Sequence, residues 1–303
     1  MNICLFSEEE INRPLLWQDE RAQHLIKILH KKEGDSFTAG IIDGKAGSAT
    51  VLRIVPKTQI EFSFTAENDG KPPYPLSMII GFPRPIQLRR LLRDAAGLGV
   101  KSIHLTGTEL GEKSYLKSTL IESDAARKML IDGTSQAGST HLPELCVHSK
   151  LEECLDSDFS AATGKDNENS SEGRTKKTSV EKNSDSHDDA PSGIYTCNAP
   201  SHSRPPNRTI PPLKIALDNI NAECSLSEFL KKNKIDGLSY KKNGYMRPIV
   251  AAIGSERGWT DNERRLFEKA GFTLCSMGSR ILRTETAATV AASVILDHMG
   301  LLD

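Results

Sequence analysis

From Pro75 onward the chain alternates short apolar runs with stretches at helical spacing, and this alternation constrains the fold more than any other feature. PLSMIIGF reads as a strand and QLRRLLRDAAGLGV as a helix; KSIHLTG is a strand, helical spacing returns over about 115–137, and ELCVHS is a strand again. After a polar interruption come KIALDNI, PIVAAIG and TLCSMG as strands, followed in turn by SLSEFLKKN, TDNERRLFEKAG and TAATVAASVILDHMG as helices. Parallel neighbours need a crossover connection, so this pattern predicts a mostly parallel α/β sheet. Ser225 with Glu228 and Thr260 with Glu263 have capping-box spacing, which fixes two helix starts.

Before about residue 70 the period differs. FTAGIIDGKAGSATVLRIV alternates around Asp43-Gly44 as a hairpin would, and TQIEFSFTAE continues the alternation. RAQHLIKILHKKEGD places Leu25, Ile28 and Leu29 on one helical stripe, with Lys27, Lys31 and Lys32 beside it. A small β-rich domain over 1–70 and an α/β domain over 75–303 follow, joined by ENDGKPPYP (67–75).

The hydrophobic content of 37% is low for a compact domain. Residues 156–212 account for it: they are Ser/Asn/Asp-rich, charged and then repeatedly broken by proline. Such a segment cannot bury enough apolar surface to offset its ordering entropy, so a disordered insertion is expected there. Charge is balanced, 39 Lys+Arg against 40 Asp+Glu, which excludes a polycationic nucleic-acid binder but permits a locally basic face. Six scattered cysteines with no CxxC spacing predict reduced thiols, and no His/Cys/carboxylate cluster has metal spacing. The N-terminus is acidic after a very short apolar stretch, and no apolar run approaches membrane-spanning length, so a soluble cytoplasmic protein is expected.

In open α/β sheets, ligands bind at the carboxyl ends of strands, where loops lead into helix N-termini. Three such loops lie near the C-terminus: after IALDN, at GSERGW (254–259) and at GSRILRTE (278–285). No GxGxxG, GxxxxGK[ST] or GxSxG motif is present, which removes dinucleotide, P-loop and serine-hydrolase readings. Arg84, Arg89, Arg90 and Arg93 stud the first α/β helix, where a solvated face explains each one alone. Arg280 and Arg283 differ, standing in a loop between a buried strand and an apolar helix, where ligand contact and salt-bridging to Glu285 are equally open. Cys275 and Met277 read as packing residues.

The run IVAAIGSERGWTDNERRLFEKAGFTLCSMGSRILRTETAATVAA resembles the RsmE family of SPOUT RNA methyltransferases. The family pattern is IGPEGGF, an acidic helix, then a strand leading into LGxRILRTETA. Ile253, Gly254, Glu256, Gly258, Gly278 and the block Arg280–Ala287 match it. The likeness is thinner at HLIKILHKKEGD, GLGVKSI and SQAGSTHLPEL.

The resemblance implies a PUA-like β-barrel followed by a trefoil-knotted SPOUT domain, working as a homodimer. It implies methylation of uridine N3 in 16S (small-subunit) ribosomal RNA with S-adenosylmethionine as cofactor and no metal. Cofactor contacts would come from Leu217, Asp218, Ile253, Gly254, Gly258, Met277, Gly278, Ile281 and Leu282. Arg280 or Arg283 would stabilise the deprotonated base, with Glu285 orienting the pair through a bidentate bond. Lys27, Lys31, Arg84, Arg89 and Arg90 would hold phosphates.

This chain departs from the pattern at Ser255 and Arg257, in place of proline and glycine, and the arginine would narrow the cofactor pocket. It departs again at 135–139, where SQAGS removes charges that would face RNA. The alternatives are a catalytically degenerate protein that binds ribosomal RNA or an assembling particle, and a SPOUT enzyme with another RNA target.

Overall fold

The computed structural model describes residues 2–117, 124–159, 210–235 and 246–302. The N-terminal part holds β1 (Cys4–Phe6), β2 (Leu15–Leu16), α1 (Glu20–Gln23), β3 (Ser36–Ile41), β4 (Ala46–Val55) and β5 (Gln59–Asn68). They form a sheet in the order β1-β3-β4-β5-β2, with β1 parallel to β3 and the other pairs antiparallel. Asp43-Gly44 turns the β3–β4 hairpin as expected, with Asp43 at φ 58°, a conformation that Asp tolerates. A closed barrel is not what forms: β1 and β2 end the strand order without pairing to each other. The small core is Phe6, Leu25, Phe37, Val51 and Ile60 with their neighbours.

Leu25 is buried there, but Ile28 and Leu29 are exposed, against the expected stripe. After α1 the chain winds as a π turn over His24–Ile28, and the Leu29 N–H reaches back to His24 O. Five residues per bond instead of four rotate the next side chains out of phase with Leu25.

The second part holds β6 (Tyr74–Gly81), α2 (Pro85–Gly97), β7 (Val100–Thr106), α3 (Ala125–Ala137), β8 (Glu144–His148) and α4 (Leu151–Asp158). After the break come β9 (Leu213–Leu217), β10 (Cys224–Ser225), α5 (Leu226–Lys232), β11 (Ile249–Ile253), α6 (Asp261–Lys269), β12 (Thr273–Ser276) and α7 (Thr284–His298). The seven strands are all parallel, in the order β10-β12-β9-β11-β6-β7-β8. The period of two in each strand divides the core between the faces. Met78, Ile80, Ala251 and Ile253 meet α2, α3, α5 and α7, while Ile79, Val250 and Ala252 meet α4 and α6.

Two boundaries differ from expectation. The helical stretch expected over about 115–137 is a 3-10 turn at Lys113–Lys117 and then α3, with 118–123 outside the described residues. The insertion expected to begin at 156 begins later: α4 runs to Asp158 and Phe159 is buried, because Leu151, Cys154 and Leu155 put an apolar stripe on the sheet. Its residues 160–209 lie outside the described residues. Cys4, Cys154, Cys224 and Cys275 are reduced thiols as expected. Cys146 is disulfide-bonded, which its spacing did not suggest.

Both capping boxes form, with Ser225 and Thr260 each accepting from the N3 amide while the N3 glutamate accepts in return. Thr260 also donates to Glu109 (2.6 Å). Thr260→Ala is therefore expected to destabilise the protein by about 1 kcal/mol, read as a lower urea midpoint at unchanged slope.

Residues 135–142 join the two parts. Asn2 N–H and Ile3 N–H donate to Ser135 O (3.1 and 3.2 Å), and Ser135 Oγ donates to Ile3 O. Asp43 N–H donates to Thr140 O (2.9 Å), Thr140 Oγ1 to Gly44 O (2.7 Å), and Leu142 N–H to Asp43 Oδ1 (2.9 Å). Gly40 and Gly70 leave room for the Thr140 side chain, since a Cβ on either would lie 2.4 or 2.1 Å from it. Within the substituted 135–139 segment Ser135 is thus buried and bonded between the two parts, while Gln136 is exposed.

Candidate functional site

The carboxyl ends of β11, β9 and β12 are neighbours in the sheet, so the three loops singled out in the sequence converge. Between them lies a cavity of about 230 Å³, lined by Leu217, Asp218, Ile253, Gly254, Gly258, Met277, Arg280, Ile281 and Leu282 among others. Gly278, Arg283 and Glu285 do not line it. Gly278 instead turns the chain at φ 104°, a conformation L side chains rarely adopt.

The 254–258 loop is fixed by close approach. A Cβ on Gly254 would stand 2.9 Å from Gly258 Cα, and Gly258 itself sits at φ 70° with its N–H donating to Ser255 O. Thr284 Oγ1 donates to Gly254 O (3.2 Å) and Thr108 Oγ1 to Ser255 Oγ (3.0 Å), so the loop is held from both sides. Ser255 is buried, whereas Arg257 is exposed at the rim. The cavity is below the roughly 300–1,000 Å³ usual for small-molecule sites, and Arg257 stands exposed on its lining.

Underneath, Gly81 at the end of β6 touches the loop: a Cβ there would lie 2.5 Å from Ser255 N and 3.0 Å from Gly254 C. Those contacts are backbone and cannot rotate away. Gly81→Ala is expected to push the loop into the cavity and weaken cofactor binding at least about tenfold, measured by calorimetry, with the far-ultraviolet circular dichroism unchanged.

Asp218 follows β9 and its carboxylate is fully engaged. Arg264 Nε donates to Oδ2 (2.9 Å), Arg264 Nη2 to Oδ1 (3.1 Å), and Asn221 N–H to Oδ2 (2.8 Å). Burial alone would raise its pKa, but the bonds from Arg264 and Asn221 outweigh burial and hold it below the ordinary carboxylate range. Asp218, expected as a cofactor ligand, is therefore first of all the residue that ties its loop to α6. Trp259 Nε1–H closes the same corner by donating to Leu217 O (3.0 Å). Neither Arg264 nor Trp259 was singled out in the sequence. The available signal was an arginine three residues before Phe267, in phase with the buried face of α6.

Arg280 and Arg283 are both exposed, Arg280 at the cavity rim and Arg283 as the N-cap of α7. Glu285 is buried in the first turn of α7, and among the described residues no ion pair joins it to either arginine. The expected bidentate pair is absent: Arg283 and Glu285, two apart at a helix start, do not face one another, and Arg280 stands exposed at the cavity rim while Glu285 is buried. Burial pushes the Cys275 thiol up, with Cys224 adding to the shift, so it is a packing residue and no nucleophile at neutral pH.

Of the expected phosphate contacts, Lys27, Arg84, Arg89 and Arg90 are exposed and Lys31 is half-buried. Arg84 N–H donates to Glu256 Oε1 (3.1 Å), linking α2 to the 254–258 loop. Arg90 pairs with Asp94 (3.6 Å) and is the one of the five lining the groove between the two parts. That groove mixes signs: Arg21 pairs with Glu10 and Asp19, and Lys128 with Glu20. The sequence also hid a cluster away from the cavity. His104, His148 and Cys154, from three elements, bring ligand atoms within 4.8 Å of one another, although their spacing showed no metal pattern.

With the geometry in place, comparison gives its class. Residues 70–186 and 210–296 match the family described as RNA methyltransferase domain. Over 98% of its length the chain is 35% identical to the ribosomal RNA small subunit methyltransferase E of Treponema pallidum, covering 91% of that protein. It is 28% identical to ribosomal RNA small subunit methyltransferase E 1 of Borreliella burgdorferi, over 97% of each chain. This protein belongs to the ribosomal RNA small subunit methyltransferase E family. Its fold is shared by the Neisseria gonorrhoeae enzyme of that name, solved with S-adenosylmethionine (TM-score 0.60, 18% identity, 98% and 97% of the two chains). A Legionella pneumophila structure with bound S-adenosylmethionine is similar (TM-score 0.62, 20% identity, 98% and 97%).

Proposed function

We propose that this chain methylates uridine N3 in 16S ribosomal RNA, with S-adenosylmethionine as the methyl donor. The observation that carries the reading is the convergence of the 217–220, 253–258 and 277–282 loops on one cavity with Arg280 at its rim. The cavity suits this cofactor in kind: Leu217, Ile253, Met277 and Leu282 offer apolar walls, and the Gly254–Gly258 approach exposes backbone groups for polar contact. Bound there, the cofactor supplies an electrophilic sulfonium methyl group.

The chain's own residues supply the rest. Uridine N3 carries a proton and becomes a nucleophile as that proton leaves to solvent. The charge then developing on O2 and O4 needs a fixed cation; Arg280, which lines the cavity, is the residue we assign to it. Asp218, Arg264 and Thr284 hold the walls against which base and methyl group align. Arg283 and the exposed Lys27, Arg84 and Arg89 hold RNA phosphates, making binding salt-dependent.

In the same reading, 1–70 is a PUA-like RNA-holding module and 75–303 a threaded SPOUT domain acting in the cytoplasm. A homodimer would cover exposed apolar residues such as Ile86 on α2 and Val290 on α7. Mass-spectrometric mapping of N3-methyluridine in ribosomal RNA from cells with and without the gene tests the activity. Loss of the mark on deletion is the expected result. The narrow cavity and Arg257 favour a second reading, an RNA-binding protein without transferase activity. No measurable S-adenosylmethionine binding by calorimetry would sink the transferase reading.

A further inference from the structure

We infer that His104, His148 and Cys154 form a binding site for one borderline-soft divalent transition metal, zinc by the donor set, which clamps α4 to the edge of the large sheet. The site lies on the sheet face opposite α2 and α7, apart from the cofactor cavity.

His104 and His148 come from neighbouring parallel strands, β7 and β8, and both are buried. Ser149 and Lys150 connect β8 to α4, and Ser149 N–H and Oγ–H both donate to Glu153 Oε2 (3.0 and 2.7 Å). That short, bonded connection sets Cys154, fully buried one turn into α4, over the two rings.

The hydrogen bonds around His104 fix which nitrogen faces the site. Ser102 Oγ–H donates to Ser77 Oγ (2.8 Å), so Ser102 Oγ accepts from His104 Nε2–H (3.1 Å). The lone pair of His104 Nδ1 then faces His148 Nε2, 3.3 Å away. A ligand histidine whose other N–H is held by a hydroxyl is the usual second layer of a metal site.

Distances agree with the ion. Two imidazole nitrogens on a tetrahedral zinc stand about 3.3 Å apart and a nitrogen and a thiolate about 3.6 Å, from Zn–N of about 2.0–2.1 Å and Zn–S of about 2.3 Å. The histidine pair is already at 3.3 Å, and with all three donors within 4.8 Å the sulfur needs to close by little more than 1 Å, a rotamer adjustment, at about the limits cited. Phe159 packs edge-on against the His104 ring (4.8 Å) and seals the site. On binding, the Cys154 S–H proton is released to solvent, and His148 carries its proton on Nδ1 so that Nε2 becomes a donor to the metal. Cys146, the register partner of His104, is disulfide-bonded and is not among the ligands. One position of a tetrahedral shell is left for water.

The test is a titration of the chelator-stripped full chain with Co2+, without thiol reductants, followed by Zn2+ competition against a chromogenic chelator. One equivalent of Co2+ is expected to give a thiolate-to-cobalt charge-transfer band and tetrahedral visible bands, displaced by Zn2+. Cys154→Ser should abolish the sulfur band, His148→Gln should weaken Zn2+ binding by roughly 100-fold, and Ser102→Ala by roughly tenfold with the band retained. Zn2+ should also raise the melting temperature of the wild type but not of His148→Gln. The proposal is overturned if the wild type gives no sulfur band, or if band and affinity persist unchanged in Cys154→Ser and His148→Gln. If Cys154→Ser does not fold, unchanged affinity in both His148→Gln and Ser102→Ala overturns it equally.

Discussion

Arg280→Ala is expected to slow methyl transfer to ribosomal RNA by roughly 10²–10³-fold, the effect of removing one charge-stabilising donor, about 2.7–4 kcal/mol of transition-state stabilisation. Affinity for S-adenosylmethionine should change little, because the guanidinium stands at the rim of the cavity and is exposed, whereas the walls are built by the glycines and apolar residues of the three loops. Single-turnover transfer of a labelled methyl group reads the first quantity and calorimetry the second. Arg283→Ala, outside the cavity, should instead weaken RNA binding and lower its salt dependence by about one phosphate contact. Wild-type rates in both variants would place base activation elsewhere.

The second large effect is on stability. Arg264→Leu leaves the buried Asp218 carboxylate without its bidentate partner and should cost about 3–5 kcal/mol, seen as a lower urea midpoint. Asp218→Asn combined with Arg264→Met should recover much of the loss, since no charge is then stranded. The pair also carries a pH signature. The folded state holds Asp218 below its unfolded pKa, so the stabilisation is complete above the ordinary aspartate value of about 3.9 and is lost as pH falls through the folded value. The advantage of wild type over the double variant should be full at neutral pH and vanish in acid. The Arg264–Asp261 pair adds little, because Asp261 is exposed.

The alternation of periods after Pro75 was enough to place the strands and the three ligand loops, because period and capping are local properties of the chain. The RILRTETA block likewise announced itself by its own residues. What local pattern could not carry is adjacency. Nothing in the order of segments says that β9 sits between β11 and β12, nor that Gly81 supports a loop more than 170 positions away. The same holds for His104 with His148, and for Ser135 and Thr140, whose small hydroxyls fit a seam between domains. Inside local patterns the misses were the boundaries near 115–137 and 156 and the π turn at His24–Ile28, where a five-residue winding replaced the 3.6-residue period assumed for Ile28 and Leu29. Asp218 lines the cavity, yet no local signal announced its pairing with Arg264: a carboxylate near a loop looks the same in sequence whether it meets ligand or protein.

The placement of β9 also sets a schedule for synthesis. As the chain leaves the ribosome, β9 emerges before either of its two sheet neighbours exists. It gains one when β11 follows and the other only with β12, and the rim bearing Arg280 comes later still. A nascent chain halted before Ile249 therefore carries a complete small sheet and the β6–β7–β8 half of the large one, but not the cavity between the three loops. The cavity is thus assembled only once β12 and the 277–282 loop have joined the sheet.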